Sequence, residues 1–319
     1  YYRVRYPPEL LRKLPSTPEG QRALLPEERL AVLADRTALL RSNDLPAATV
    51  LSHLPVLFKS PERHTVAQAA GLLAQLDPLV PAGERATFRA FLRGLAAQPA
   101  KALGWKPRPG EDEDTRLLRP LLLAMATLGG QEPALVAEAG RLARAWLVDR
   151  DAVDADLSDL VLQAAAQHGD LAFFQRLREA AAKEPDRRTR RRLYMALGGF
   201  RGPDTAQAVL DLLLSESVDL REVSGVLGEL MDAPETRERT YGFLKEHYDA
   251  LVARLPRDSG AYLSRVAAGS FCSEEHRQDL EAFFGPKAAL SAGGPRVLAQ
   301  TLERIHLCDV LKQAQQPSL

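Results

Sequence analysis

With 319 residues, 45% hydrophobic and 26% charged, the chain is long enough for a well-buried core, and its composition argues against disorder. Forty-two Lys and Arg balance forty-two Asp and Glu, so no excess positive field gathers a polyanion and general nucleic-acid binding is not expected. Cys272 and Cys308 are too few for a disulfide scaffold and too far apart for a zinc knuckle, which fits a reducing compartment. No signal-peptide core and no apolar span of about 18 residues is visible. Composition favours a cytoplasmic setting, but localisation stays unassigned, because a chain that starts at Tyr1 without a methionine carries no targeting information.

The first residues, YYRVRY, alternate with a period of two, placing Tyr2, Val4 and Tyr6 opposite Tyr1, Arg3 and Arg5. This pattern predicts a strand over 1–7. No second convincing strand follows, and a strand needs a partner for its backbone groups, so the partner is expected upstream of Tyr1. Pro7-Pro8 ends the strand, and a short helix is predicted over Glu9 to Leu14. Pro26 suits a first helical position, with Leu30, Leu33, Thr37 and Leu40 recurring on one side. Further helices are predicted at about 46–59, 62–76 and 82–98, so that 8–104 forms a first half of short antiparallel helices.

The stretch ALGWKPRPGEDEDTRLL interrupts this pattern. Two prolines and a glycine break the chain after Trp105, four acids follow, and a new amphipathic helix starts near Thr115. We read 105–113 as a connector and place of flexure, and Glu111 to Asp114 as acids that complement a helix dipole. From 114 to 319 helices are predicted at about 114–129, 132–148, 156–168, 171–183, 187–199, 203–215, 219–231, 235–255, 259–269, 273–284 and 294–312. Ala206, Val209, Leu210 and Leu213 form one stripe, and Leu244, Tyr248, Leu251 and Leu255 another. Helix pairs at roughly 35-residue intervals predict an all-α, HEAT-like or armadillo-like α-α superhelical fold.

Motifs for chemistry are absent from the sequence. His53, His64, His168, His247, His276 and His306 make no H-E-x-x-H or H-x₃-H pattern, and no nucleophile elbow or phosphate loop occurs. Gly198-Gly199 and Gly293-Gly294 read as helix ends that want a positive φ. Trp105 and Trp146 read as packing anchors, with substrate contact as the lesser alternative. The sharpest charge feature is RRTRRR, five arginines within Arg187 to Arg192 at a helix start, where cations oppose the dipole. Two readings stand. The guanidiniums form a solvated face partnered by Glu179, Glu184 and Asp186, or Arg188, Arg191 and Arg192, with the free helix N–H groups, receive a carboxylate such as a peptide C-terminus.

Five segments in order, YYRVRY, LGWKPRPGEDEDTRLLR, SVDLREVSGVLGEL, YGFLKEHYDALVARL and AAGSFCSEEHRQDLEAFF, resemble the C-terminal region of M1-family zinc aminopeptidases, nearest to the puromycin-sensitive and ERAP1-like group. The resemblance spans essentially the whole chain. It implies an enzyme whose G-x-M-x-N and H-E-x-x-H motifs and catalytic zinc lie in an upstream domain, followed by a β-sandwich whose last strand would be residues 1–7. It also implies that the helical bowl caps the active-site cleft, admits peptides and contacts their distal part. The implied partners are therefore the parent's catalytic domain and β-sandwich, and peptides. The fragment itself should cleave nothing and hold no metal. The chain departs from its relatives at His247-Tyr248 and at His306-Leu307-Cys308. A standalone HEAT-like scaffold is the alternative from another class, and an independent hydrolase with a scattered triad has no supporting motif.

Overall fold

The computed structural model describes residues 3–7, 9–10, 17–256 and 259–316. Among these residues all regular structure is helical. The expected strand is not formed over 3–7, where no described segment offers a ladder. Arg3 and Tyr6 donate instead to the Asp35 carboxylate, at 3.5 and 3.2 Å. Tyr1 and Tyr2 lie outside the described residues, as does most of the predicted helix over 9–14.

The chain divides into two compact units, residues 1–132 with 308–319, and residues 133–307. The first unit contains α1 (Pro18–Ala23), α2 (Pro26–Arg41), α3 (Ala47–Leu57), α4 (Arg63–Leu76), α5 (Arg85–Leu103) and α6 (Glu113–Ala124). Pro26 opens α2 with its fixed φ, and Glu28 reaches back to accept from the Leu25 N–H at 2.8 Å. Packing of α2 on α4, α4 on α3 and α6, and α6 on α5 buries Val32, Leu33, Leu40, Leu54, Leu72 and Leu76. Each such side chain contributes about 1.5–3 kcal/mol when fully buried. Gln315 satisfies the start of α3: its Oε1 accepts from Ala47 N–H at 2.7 Å and its Nε2 donates to Leu45 O at 3.1 Å.

The 105–113 connector lies inside this first unit and is tied to it. Trp105 is buried, and Arg119 of α6, itself only 1% exposed, donates to Gly104 O at 2.8 Å, to Leu103 O and to the Glu111 carboxylate. Asp112 is the helix cap, accepting from Thr115 N–H at 2.8 Å, with Glu113 and Asp114 in the first turn. The acids thus divide between a cap, a dipole complement and, for Glu111, a buried ion pair.

The second unit contains α7 (Pro133–Val148), α8 (Ser158–Gln167), α9 (Leu171–Lys183), α10 (Arg187–Leu197), α11 (Pro203–Leu214), α12 (Leu220–Val223), α13 (Val226–Asp232), α14 (Arg237–Glu246), α15 (Tyr248–Arg254), α16 (Ser259–Ala268) and α17 (Glu274–Ala288). It also holds α18 (Gly294–Gln315) as far as Leu307. Helices pair in sequence, α7 with α8, α9 with α10 and α16 with α17, while α8, α10, α13 and α16 stand side by side as one layer. This is the stacked-pair arrangement of a HEAT-like solenoid.

Two predicted helices are broken. Residues 219–231 divide at Ser224-Gly225, where a Cβ on Gly225 would meet the Met195 sulfur at 2.8 Å. The helix over 235–255 breaks at His247, which leaves helical geometry at φ −109°, ψ 13° with its ring 4.7 Å from Phe243. The stripe of α11 is buried throughout, whereas Leu255 at the end of the other stripe is only half-buried. Neither Cys272 nor Cys308 is a free thiol, so the cysteine count carries no argument for a reducing compartment.

Candidate functional site

The arginine run sits at the start of α10, and helical spacing divides it. Arg188, Arg191, Arg192 and Met195 follow one another at i, i+3, i+4 and i+7, so they share a face. Arg187 and Arg190 face the other way, toward Glu222 of α12: Arg190 makes two bonds to that carboxylate, at 2.8 and 3.0 Å, and Arg187 an ion pair at 3.5 Å. The Arg190 hydrogen bond first, and the Arg190 and Arg187 charges after it, hold the Glu222 carboxyl below its ordinary value. Among the described residues, the partners expected from local sequence make no side-chain bond to these arginines. Glu184 offers Arg190 only its backbone oxygen, at 2.9 Å, and spends its carboxylate on Arg150 at 3.1 Å.

The helix start itself is capped. Asp186 accepts from Thr189 N–H at 2.8 Å, and hydrogen bonds from Thr189, ahead of the Arg188 charge, hold its carboxyl below the usual range. Capping takes up part of the N–H array that an anion would use, so the guanidiniums are the stronger anion donors here.

Arg188, Arg191, Arg192 and Met195 of α10, Asp159 and Gln163 of α8, and Glu229 of α13 line a concavity of about 330 Å³. Arg192 pairs with Asp159, and Glu229 accepts from Gln163 Nε2 at 2.8 Å. Among the described residues no hydrogen bond or ion pair engages the guanidinium of Arg188 or Arg191, and both residues are exposed. Gly198 sets the wall: a Cβ there would lie 2.7 Å from Glu229 Cβ, so the absent side chain lets α10 approach α13. Its φ is −65°, which corrects the expectation of a positive value at this helix end, while Gly293 does have one, at 72°.

A second concavity, about 420 Å³, lies further along the same unit between α16 and α18, lined by Tyr262, Arg265, Gln300, Thr301 and Arg304 with Ala261 and Val297. Sequence reasoning missed it because Arg265 and Arg304 are single arginines on separate helices. The signal available was a polar side chain one helical step from each arginine, Tyr262 and Gln300. Burial raises the Tyr262 phenol above its ordinary pKa, with the charges of Arg265 and Arg191 opposing, so Tyr262 lies within electrostatic reach of both concavities.

Other expectations find their places. Trp105 and Trp146 are both buried, the latter with the Arg150 guanidinium 4.1 Å from its ring centre. His276 bridges Ser273 and Glu238, at 2.6 and 3.0 Å, while its ring stacks on Phe271 at 3.8 Å. Among the described residues no three His, Cys, Asp or Glu side chains gather as a metal centre, so these residues do not fit a zinc site. No described helix is long and apolar enough to cross a membrane.

The family described as the ERAP1-like C-terminal domain matches residues 1–307, nearly the whole chain. The chain belongs to that family. It is similar to Aminopeptidase M1 of Arabidopsis thaliana, 26% identical over 96% of the chain, and to Aminopeptidase M1-C of Oryza sativa subsp. japonica at 24% over the same share. Aminopeptidase M1-B of the same rice is likewise 24% identical over 96% of the chain. The chain spans about a third, 35%, of the length of these relatives. The resemblance carried by YYRVRY, the connector and the three later segments is thereby met, and the domain is of the kind found in M1 aminopeptidases.

Proposed function

We propose that this domain is the non-catalytic C-terminal part of an M1 zinc aminopeptidase. In this reading it caps the active-site cleft, restricts entry to peptides and holds the distal end of the substrate. Zinc and the peptide-cleaving groups belong to a catalytic domain outside these residues.

The observation that carries the substrate role is the pair Arg188 and Arg191, exposed on one face of α10 over the first concavity, with guanidiniums engaged by no hydrogen bond or ion pair among the described residues. Guanidinium presents several donors in a planar fork suited to a carboxylate. Hydrogen bonds to charged groups contribute about 1.5–3 kcal/mol, and solvent exposure reduces that here. A peptide C-terminal carboxylate is therefore the ligand assigned to Arg188 and Arg191, with Arg192 held back by Asp159 as the third cation of the site.

The test uses the full-length protein and peptides of graded length. Replacing Arg188 and Arg191 by Gln should flatten the dependence of turnover on peptide length and leave an aminoacyl-coumarin substrate, which has no distal end, unaffected. A length dependence unchanged in the double variant removes the substrate role.

A further inference from the structure

We infer that the concavity between α16 and α18 is a second anionic subsite, in which Arg265 and Arg304 receive the side-chain carboxylate of an acidic residue upstream of the peptide's C-terminus.

The two concavities differ in charge balance. Three guanidiniums in the first face Asp159 and Glu229, whereas Arg265 and Arg304 in the second have no carboxylate among the residues that line it. The arginine run that dominates the sequence is thus the more neutralised of the two sites. Arg265 makes no ion pair or hydrogen bond among the described residues and has its guanidinium carbon 5.8 Å from the Tyr262 ring centre. Arg304 is held by one bond to Gly269 O at 3.0 Å, which fixes one edge of its fork and leaves further donors. Thr301, Gln300 and the Tyr262 hydroxyl add neutral donors around the same space. Burial keeps that phenol protonated through the neutral range, so it donates rather than repels an anion.

Placement decides the ligand. The first concavity is built on α8, α10 and α13 and the second on α16 and α18, with α10, α13 and α16 packed in one layer. Two interhelix steps of about 8–10 Å separate the axes of α10 and α16, roughly 16–20 Å in all. An extended peptide covers that in about five or six residues at about 3.3 Å each. A peptide anchored by its C-terminus at Arg188 and Arg191 would carry a side chain to Arg265 and Arg304 about five residues earlier. Glu or Asp at that position complements a site of two unneutralised arginines, while Lys or Arg there is repelled.

This inference rests on the proposed binding of the peptide C-terminus, and the experiment separates the two. Fluorescence anisotropy on the full-length protein compares labelled peptides that differ only in Glu or Gln about five residues before the C-terminus. Glu should tighten binding about five- to tenfold, on the order of 1–1.4 kcal/mol. The gain should vanish in R265Q/R304Q and return in part in R265K/R304K, while R188Q/R191Q weakens both peptides and keeps the ratio between them. A Glu advantage that persists in R265Q/R304Q, or its absence from the unaltered protein, overturns the second subsite alone. Binding of both peptides unaffected by R188Q/R191Q overturns the C-terminal anchor on which it rests.

Discussion

Arg192 of α10 and Asp159 of α8 form an ion pair across one helical repeat, 33 residues apart, at the edge of the first concavity. Asp159 is 72% exposed against 18% for Arg192, so the pair contributes little to stability, at most about 1 kcal/mol. Its main effect is on charge: it neutralises one of the three cations that an incoming carboxylate would meet.

Asp159→Asn should therefore tighten the binding of peptides with a free C-terminus, about two- to fivefold at low salt, with the difference shrinking as salt rises. Thermal unfolding should shift little. Weaker binding in the variant would mean that the pair orients Arg192 for the ligand rather than competing with it.

Arg119 is a different kind of pair. Its guanidinium is 1% exposed beside a Glu111 side chain that is 10% exposed, and it also holds the Leu103 and Gly104 carbonyls. Arg119→Met should cost about 3–5 kcal/mol, because it leaves Glu111 buried without its partner. The double variant E111Q/R119M should recover part of that loss in urea unfolding. Equal losses in the single and double variants would show that the carbonyl bonds, not the charge pair, fix the connector.

The arrangement at Arg119 marks the limit of what the sequence discloses. Asp112 as a cap, the dipole acids and the helices from 133 to 215 follow from residue type and spacing, since those signals are local. Glu111 looks like one more dipole acid until α6 folds Arg119 back over it. The arginine run was legible as a charge feature, and helical spacing could divide it into two faces. Its partners, Glu222 and Asp159, lie one repeat away, and only stacking brings them near. Arg265 and Arg304 carry only a weak local signal, the neighbouring Tyr262 and Gln300, because their site exists only where α16 and α18 meet.

Gly198 gives a test of that stacking. A Cβ there would stand 2.7 Å from Glu229 Cβ, so Gly198→Ala should destabilise the domain by about 1–3 kcal/mol through overpacking. It should also weaken peptide binding by moving Glu229 relative to α10. Loss of stability with unchanged peptide affinity would separate the wall from the ligand.

His53 in the first unit supplies a pH dependence. It is 7% exposed, with Nδ1 buried and without a hydrogen-bond partner among the described residues, and burial followed by the Arg36 charge lowers its pKa to about 4. The unfolded chain takes up the proton near pH 6.5 and the folded chain only near 4, so stability should fall as pH drops between those values. The loss is on the order of 2–3 kcal/mol. His53→Gln should remove this part of the slope in urea unfolding between pH 7 and 4. An unchanged slope would assign the acid sensitivity elsewhere.

Whether Arg188 and Arg191 take a peptide carboxylate is measured most directly by comparing one peptide as free acid and as C-terminal amide on the full-length protein. The free acid should bind about tenfold more tightly, and the advantage should disappear in R188Q/R191Q. Equal affinity for acid and amide in the unaltered protein, or an advantage that survives the double substitution, would contradict that role.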